Sequence, residues 1–420
     1  MLQTTLAVLV ALAPILHISS HNLPSGLFYL TLLVSLALLA QQRLANTGEV
    51  VRTYWPVMAA FSVLLLAVIN ATLHYGQWPG ANGEGAIRLL LGVSLPLLAL
   101  SYVPTQRLRW IAWGFVVACT LAFAIVLWLT LPGFVRPETP GNIPVAYSAF
   151  MSLFMAITLF SIGWKLTPWP KVEVTIKVVA GILAFAALVL TQARTGWLGL
   201  PLFILIGIVL FFNARNRNRA ILAAVIATVI AAGAFLSSDV LRHKAVLAYT
   251  EAVECTGENS TQDTSICIRF QMWRAALDMA QQDPWTGIGD GGEFRERMKT
   301  DSHPKGLVSD FVVTHYFGEP HNDTIFMLAA FGIPGALGIL FIYLVPAWYF
   351  LLRLRHTHPQ ACRVAAAMGL AVCLGFAVFG LTELMFRRMN TLGFYAVMVA
   401  VFLVLSDPRR AQPKHGSLHR

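Results

Sequence analysis

Apolar residues in this chain come in blocks of roughly 20, the length that carries a helix across the hydrocarbon core of a bilayer. No other feature restricts the fold as much. Inside lipid no water satisfies a stray backbone amide, so a spanning segment is helical or part of a closed barrel. Unbroken apolar blocks of this length read as helices. Windowed hydropathy places about twelve of them, centred near residues 10, 32, 64, 95, 120, 153, 183, 204, 228, 338, 372 and 398. Only 12% of the 420 residues are charged, against about a quarter in a soluble domain. The expected fold is an all-α polytopic membrane protein with about 12 transmembrane helices. The first block, Leu2 to Ile18, has no Lys or Arg before it and no small-residue cleavage site after it. It therefore reads as a first span and not as a removed leader.

The connections alternate in charge. One set holds Arg43 and Arg52; Arg107 and Arg109; Lys165, Lys171 and Lys177; Arg215, Arg217 and Arg219; Arg353, Arg355 and Arg363; and a tail with Arg409, Arg410, Lys414 and Arg420. The other set is short and poor in Lys and Arg, apart from one long loop. Short basic loops stay in the cytoplasm, so the first set is expected inside, and an even span count puts both termini there too. The formal charge of +10 is then a topology signal directed at anionic lipid headgroups, and nucleic acid is not an expected partner.

The long external loop divides the chain. Residues 1–236 hold nine spans, 237–320 the loop domain, 321–406 three further spans, and 407–420 a cytoplasmic basic tail. The loop is too aromatic for a disordered segment, with Phe270, Trp273, Trp285, Phe294, Phe311 and Tyr316. Ser238 and Asp239 can cap a helix running through Leu241 and Ala248, and a second is expected over Ile268 to Gln282, ended by Asp283-Pro284. Cys119, Cys362 and Cys373 lie in or beside spans and read as small apolar side chains. Cys255 and Cys267 share the loop. In an oxidising compartment they would close it as a disulfide, with two free thiols as the alternative.

Three external stretches carry polar groups that packing does not require. In "TQARTGWLGL", Arg194 sits in a tight turn on the Arg-poor side. In "RFQMWRAALDMAQQDPWTGIGDGGEF", Arg269 and Trp273 are one helical turn apart and share a face. Met272, Ala276 and Met279 form an apolar stripe expected to lie on the membrane or on span ends. The glycines from Gly287 to Gly292 follow a helix and not a strand, so a nucleotide-binding loop is excluded and a tight turn is expected. In "GEPHNDTIFMLAAFGIPG", Asn322 or Asp323 can cap the tenth span. His321 gains nothing as a cap. The positive end of the helix disfavours its imidazolium, which leaves a neutral base beside a natural anion site. That pairing suits transfer from a phosphate-activated donor to a hydroxyl. Gly332, Gly335 and Gly338 are expected to admit a neighbouring helix. Glu383, Arg387 and Arg388, at the external end of the eleventh span, rank as further site candidates.

An Arg-Thr-Gly turn, an Arg-x-x-x-Trp helix ending in Pro-x-x-Gly-x-Gly, and His-Asn followed by spaced glycines occur in this order between Thr191 and Gly338. In this the chain resembles the O-antigen ligase/polymerase superfamily, multi-span (GT-C-like) glycosyltransferases of the bacterial inner membrane. The resemblance implies transfer of a glycan from undecaprenyl diphosphate to an acceptor in the periplasm, with no metal and no cofactor. It implies that Arg194 and Arg269 hold the diphosphate, that His321 acts at the transfer step, and that Arg274 is a weaker phosphate contact. The short loop at Arg194 is unlike the polymerase branch, and the short tail is unlike the protein-glycosylating branch. The branch left is the ligase, which joins O-antigen to lipid A–core oligosaccharide.

Two rival readings stay open. A transporter or flippase places ionisable residues near the bilayer midplane and often shows repeats; here the charges lie at external helix ends and no repeat is visible. A metal-dependent transferase would draw on His303, His315, His321, Asp310 and Glu319, none of which form a helical metal-binding pair.

Overall fold

The computed structural model describes residues 1–45, 47–131, 137–140, 143–211, 217–237, 239–315, 317–355 and 357–410. Within them the chain forms helices and turns only. We number the long helices α1 (Leu2–Ser19), α2 (Leu23–Gln41), α3 (Thr47–Tyr75), α4 (Gly80–Leu100), α5 (Ile111–Thr130), α6 (Pro144–Phe160), α7 (Pro170–Leu190), α8 (Thr195–Phe211), α9 (Arg217–Ser237), α10 (Asp239–Glu254), α11 (Ser265–Gln282), α12 (Asp323–Arg353), α13 (Gln360–Phe379) and α14 (Met389–Ser406). Proline at the first helical positions of α2, α6 and α7 starts those helices where an N–H would have no acceptor.

The all-α polytopic architecture is as expected, and every expected span centre falls on a helix. Among the described residues, ten helices, α1–α7 and α12–α14, are long and apolar enough to cross a membrane. The two remaining hydropathy centres fall on α8 and α9. α8 has 17 residues, about 26 Å at the helical rise, and is short for a core near 30 Å. α9 opens on Arg217 and Arg219, and the rest of its sequence is apolar. Arg215, Ser238, Tyr316, Lys414 and Arg420 lie outside the described residues. α13 and α14 form the centre of the bundle, with 83% and 89% of their apolar windows buried, against 39% for α1, α2, α3 and α7.

Side-chain bonds sort the connections into two faces, and the sorting follows the charge alternation. Arg107 donates to Thr4, Arg353 to Tyr54, and Arg409 to Glu49, which gathers the N-terminus, the start of α3, the α4–α5 turn and the end of α14. On the opposite face Asn390 donates to the carbonyl of His21, Asn82 to Asp290, and Thr195 meets Thr382. Several basic residues assigned to lipid headgroups are instead spent on the protein. Arg363 donates to the carbonyls of Leu354 and Leu210, Arg353 to Leu403, and Arg410 to Leu100 and Val103. These are the orphan acceptors at helix C-termini, where the dipole also favours a cation. Lys177 is buried against Glu173 at 2.6 Å.

The expected loop helices are present. α10 begins at Asp239, and α11 begins three residues earlier than expected. Met272, Ala276 and Met279 are fully buried, packed not on lipid but on Ala329 of α12 and on Ile288, Phe294, Met298 and Val312 of the loop itself. Cys255 and Cys267 are disulfide-bonded, their Cα atoms 5.5 Å apart. The glycine stripe of α12 divides in function. A Cβ on Gly338 would meet the backbone of Leu64 in α3 at 2.9 Å, as a close helix approach requires. Gly332 instead has φ +66° and breaks the helix together with Phe331.

Candidate active site

Three segments converge at the N-terminal end of α12, and each is held by a bond that its motif supplies. Asn322 caps α12, its side-chain oxygen accepting from the Ile325 N–H at 3.1 Å. Asp323, the next residue, is 1% exposed. Its carboxylate accepts from Tyr343 Oη at 2.7 Å and from the Met385 and Phe386 amides at 3.2 Å each. Asp323 thereby sews the start of α12 to the turn after α13, the turn that carries Glu383, Arg387 and Arg388. The second segment is α11, whose Trp273 donates Nε1–H to the Pro320 carbonyl at 2.7 Å. That bond brings Arg269, one turn back on the same face, to the His321 lip. The third is the α7–α8 turn. Thr195 meets Thr382 at 3.3 Å and the Gly196 amide donates to Ser148 at 3.2 Å, which brings Arg194 beside Arg269.

His321 stands one residue before the cap in the left-handed region, φ +49°, where non-glycine residues are uncommon and often functional. Its Nδ1 is buried and lies 3.7 Å from Glu319 and 3.8 Å from Glu383. Glu319 is fixed by Arg387 at 2.5 Å. Glu383 is 2% exposed, and its Oε1 has no hydrogen-bond partner among the described residues.

The electrostatics are mutual. Burial holds the His321 imidazole below its ordinary range; Glu319 works against this, while Arg269, Arg388 and Arg387 add to it. The neutral form expected from the helix end is thus favoured, with burial as the larger cause. Burial and then Glu319 push the Glu383 carboxyl up to about 7, against the pull of Arg388 and Arg269. Burial lowers Arg269, Glu383 raises it, and neighbouring Arg194 lowers it further. Arg269, Arg387 and Arg388 therefore surround one histidine and two carboxylates, with Arg194 beside Arg269. The net field is positive, which suits an anion carrying several phosphate oxygens.

Arg274 does not join this group. It donates to the Ser260 carbonyl and steadies the short turn beside the disulfide. Nor do the metal candidates assemble as a set: His303 pairs with Asp310 at 2.8 Å, and His315 stacks on Phe311. Glu319, His321 and Glu383 do bring donor atoms within 4.8 Å of one another, but the neighbouring Arg269, Arg387 and Arg388 guanidinium groups oppose a divalent cation there. Glu319 and Asp323 join the site beyond the residues expected from sequence. A carboxylate just inside a span is costly unless paired, and that was the available signal for Asp323.

Glu383 gives the first testable consequence. Its folded pKa stands above the usual carboxylate value, so the folded state holds a proton that the unfolded state releases. Stability from this group is full below about pH 4.5 and is lost as pH rises through about 7. The histidine works the other way, losing stability as pH falls below its ordinary value. Replacing Glu383 by Gln removes only the first effect. E383Q should melt about 3 °C or more above the parent at pH 8 and match it at pH 5, as read by thermal unfolding in detergent.

Comparison with known proteins adds a likeness. Residues 179–340 match the family model described as Wzy_C, O-Antigen ligase. The match runs from the middle of α7 into α12 and includes Arg194, Arg269 and His321. An uncharacterized protein of Haemophilus influenzae (strain ATCC 51907 / DSM 11121 / KW20 / Rd) is 29% identical over 243 residues, 56% of this chain. The chain spans 57% of that relative's length.

Proposed function

We propose that this chain, whose 179–340 segment is that of the O-antigen ligase/polymerase superfamily, is an O-antigen ligase. It takes O-antigen polysaccharide from undecaprenyl diphosphate and joins it to a hydroxyl of lipid A–core oligosaccharide, completing lipopolysaccharide. The observation that supports this best is the crowding of Arg269, Arg387 and Arg388 around His321 and Glu383, with Arg194 beside Arg269, at one end of the bundle. Arg194 and Arg269 grip the diphosphate as planar forks, with Arg387 and Arg388 adding positive field. The glycosidic bond to the diphosphate breaks and its electron pair leaves with the phosphate oxygen. The acceptor oxygen bonds to the sugar carbon and its proton passes to neutral His321. With Nδ1 turned toward Glu319 and Glu383, Nε2 is the nitrogen left for that proton, and the carboxylates steady the imidazolium that forms.

In this reading the site faces the periplasm of the inner membrane and both termini are cytoplasmic. The basic residues gathered on the opposite face support that orientation, as does a disulfide in the site's own loop. The 237–320 segment acts as the periplasmic domain.

The test is reconstitution with undecaprenyl-diphosphate glycan, offering core lipid, a second carrier-linked glycan, or a protein as acceptor. The expected product is glycan on core lipid, at a rate unchanged by EDTA. Polymer or glycoprotein would move the assignment to a polymerase or a protein glycosyltransferase. Intact donor with all three acceptors would remove the transferase reading and leave a transporter.

A further inference from the structure

Between α11 and α12 lies a structure that neither the transfer chemistry nor helix packing requires. α12 breaks at Phe331 and Gly332, which frees backbone groups inside a membrane helix. Such groups are costly unless satisfied. Here the turn after α11 satisfies them. The Ile288 and Gly289 amides donate to the Ala329 and Ala330 carbonyls at 2.9 and 3.0 Å, and the Ile333 amide donates to the Pro284 carbonyl at 2.8 Å. Two glycines make the approach possible. A Cβ on Gly287 would stand 2.5 Å from the Ala329 oxygen, and one on Gly332 would stand 2.4 Å from the Pro284 oxygen; both positions also have positive φ. From α3, Tyr75 donates its hydroxyl to the Gly287 carbonyl at 2.5 Å and Asn70 donates to the Trp285 carbonyl at 3.0 Å.

The clasp joins the C-terminal end of α11 to a point two and a half turns inside α12. Arg269 rides on α11, and His321 stands at the head of α12. Besides the packing of Met272, Ala276 and Met279 on Ala329, a side-chain hydrogen bond from Trp273 to the Pro320 carbonyl also ties them. A helix break matched by an extended turn fixes both the height and the rotation of one helix on the other, where apolar packing and one side-chain bond leave room to slide.

We infer that the backbone clasp between residues 284–289 and the α12 break is a positioning device that sets the separation of Arg269 from His321, with Gly287, Gly332 and Tyr75 as its positioning residues. It explains why a Pro-x-x-Gly-x-Gly segment follows an arginine helix where the glycines do not form a nucleotide-binding loop. The inference rests on the transferase reading for its activity arm only.

The experiment pairs spin labels at two exposed positions, Leu277→Cys on α11 and Leu381→Cys beside Glu383, in the full chain in detergent. In a G332A or G287A background the inter-label distance distribution should broaden or shift. Turnover at saturating donor, per mole of folded protein, should fall at least about tenfold, since small misplacements of reacting groups are costly. Y75F keeps the ring and deletes one hydroxyl, so it covers the case in which a glycine variant fails to fold. It should broaden the distribution less and lower turnover a few-fold. Unchanged distances in these variants, or a turnover loss that only follows the unfolded fraction, would overturn the inference. A parent protein without transfer activity would sink the transferase reading instead, and the label distances would then decide the clasp alone.

Discussion

Replacing His321 by alanine is expected to cut glycan transfer by about 10²–10⁴, the usual worth of a general base, while the protein stays folded. Folding should survive because the imidazole makes no hydrogen bond among the described residues and is one-quarter exposed. The complication is the backbone. At φ +49° a β-carbon is unwelcome, and alanine loses whatever local help the histidine gives. H321N separates the two effects, because asparagine tolerates the left-handed region best after glycine but offers no base. If chemistry is what the position supplies, H321N should be as inactive as H321A and no less stable than the parent. Near-normal ligation by a well-folded H321N would show that the position serves geometry alone. E383Q should retain more activity than either, because it weakens the support of the imidazolium without removing the base.

How much of this was legible before the fold was known follows from what each signal depends on. Spans were readable because lipid imposes length and composition locally; α8 and α9 blurred because one is short and the other begins with charge. The convergence of Arg194, Arg269 and His321 was suggested by three motifs in order, and the structure adds the reason for their neighbours. Thr195 reaches Thr382, Trp273 reaches Pro320, and Asn322 caps α12. Long-range ties were not legible. Asp323 looked like a second capping residue, and only the fold reveals that it binds amides 62 and 63 residues away. Gly332 and Gly338 looked alike in a stripe, yet one breaks the helix and the other packs on α3. Arg274 followed Arg269 closely enough to invite the same role, but five residues on a helix place it at a different azimuth. Its partner is a carbonyl in the disulfide loop.

That contrast between two arginines of one helix sets up the second large effect. R269K and R194K are each expected to lower transfer by about 10²–10³, the range for losing one preorganised donor to a developing anion, whereas R274K should leave it nearly unchanged. Charge is formally conserved in all three, so the difference isolates geometry. A guanidinium offers two parallel N–H groups to two phosphate oxygens, and an ammonium offers a point charge that must choose. Burial adds to the loss at position 269. The site already lowers the Arg269 pKa through desolvation and through Arg194. An arginine so disfavoured stays protonated, but a lysine begins far nearer neutrality and would spend part of its time uncharged. R269K should therefore recover some activity as pH falls from 9 to 7, and R194K less, provided His321 remains neutral over that range. Transfer within about twofold of the parent in both lysine variants, measured at saturating acceptor, would remove diphosphate binding from these two side chains. Equal losses at positions 269 and 274 would point to damage in α11 as a whole and not to a lost grip on phosphate.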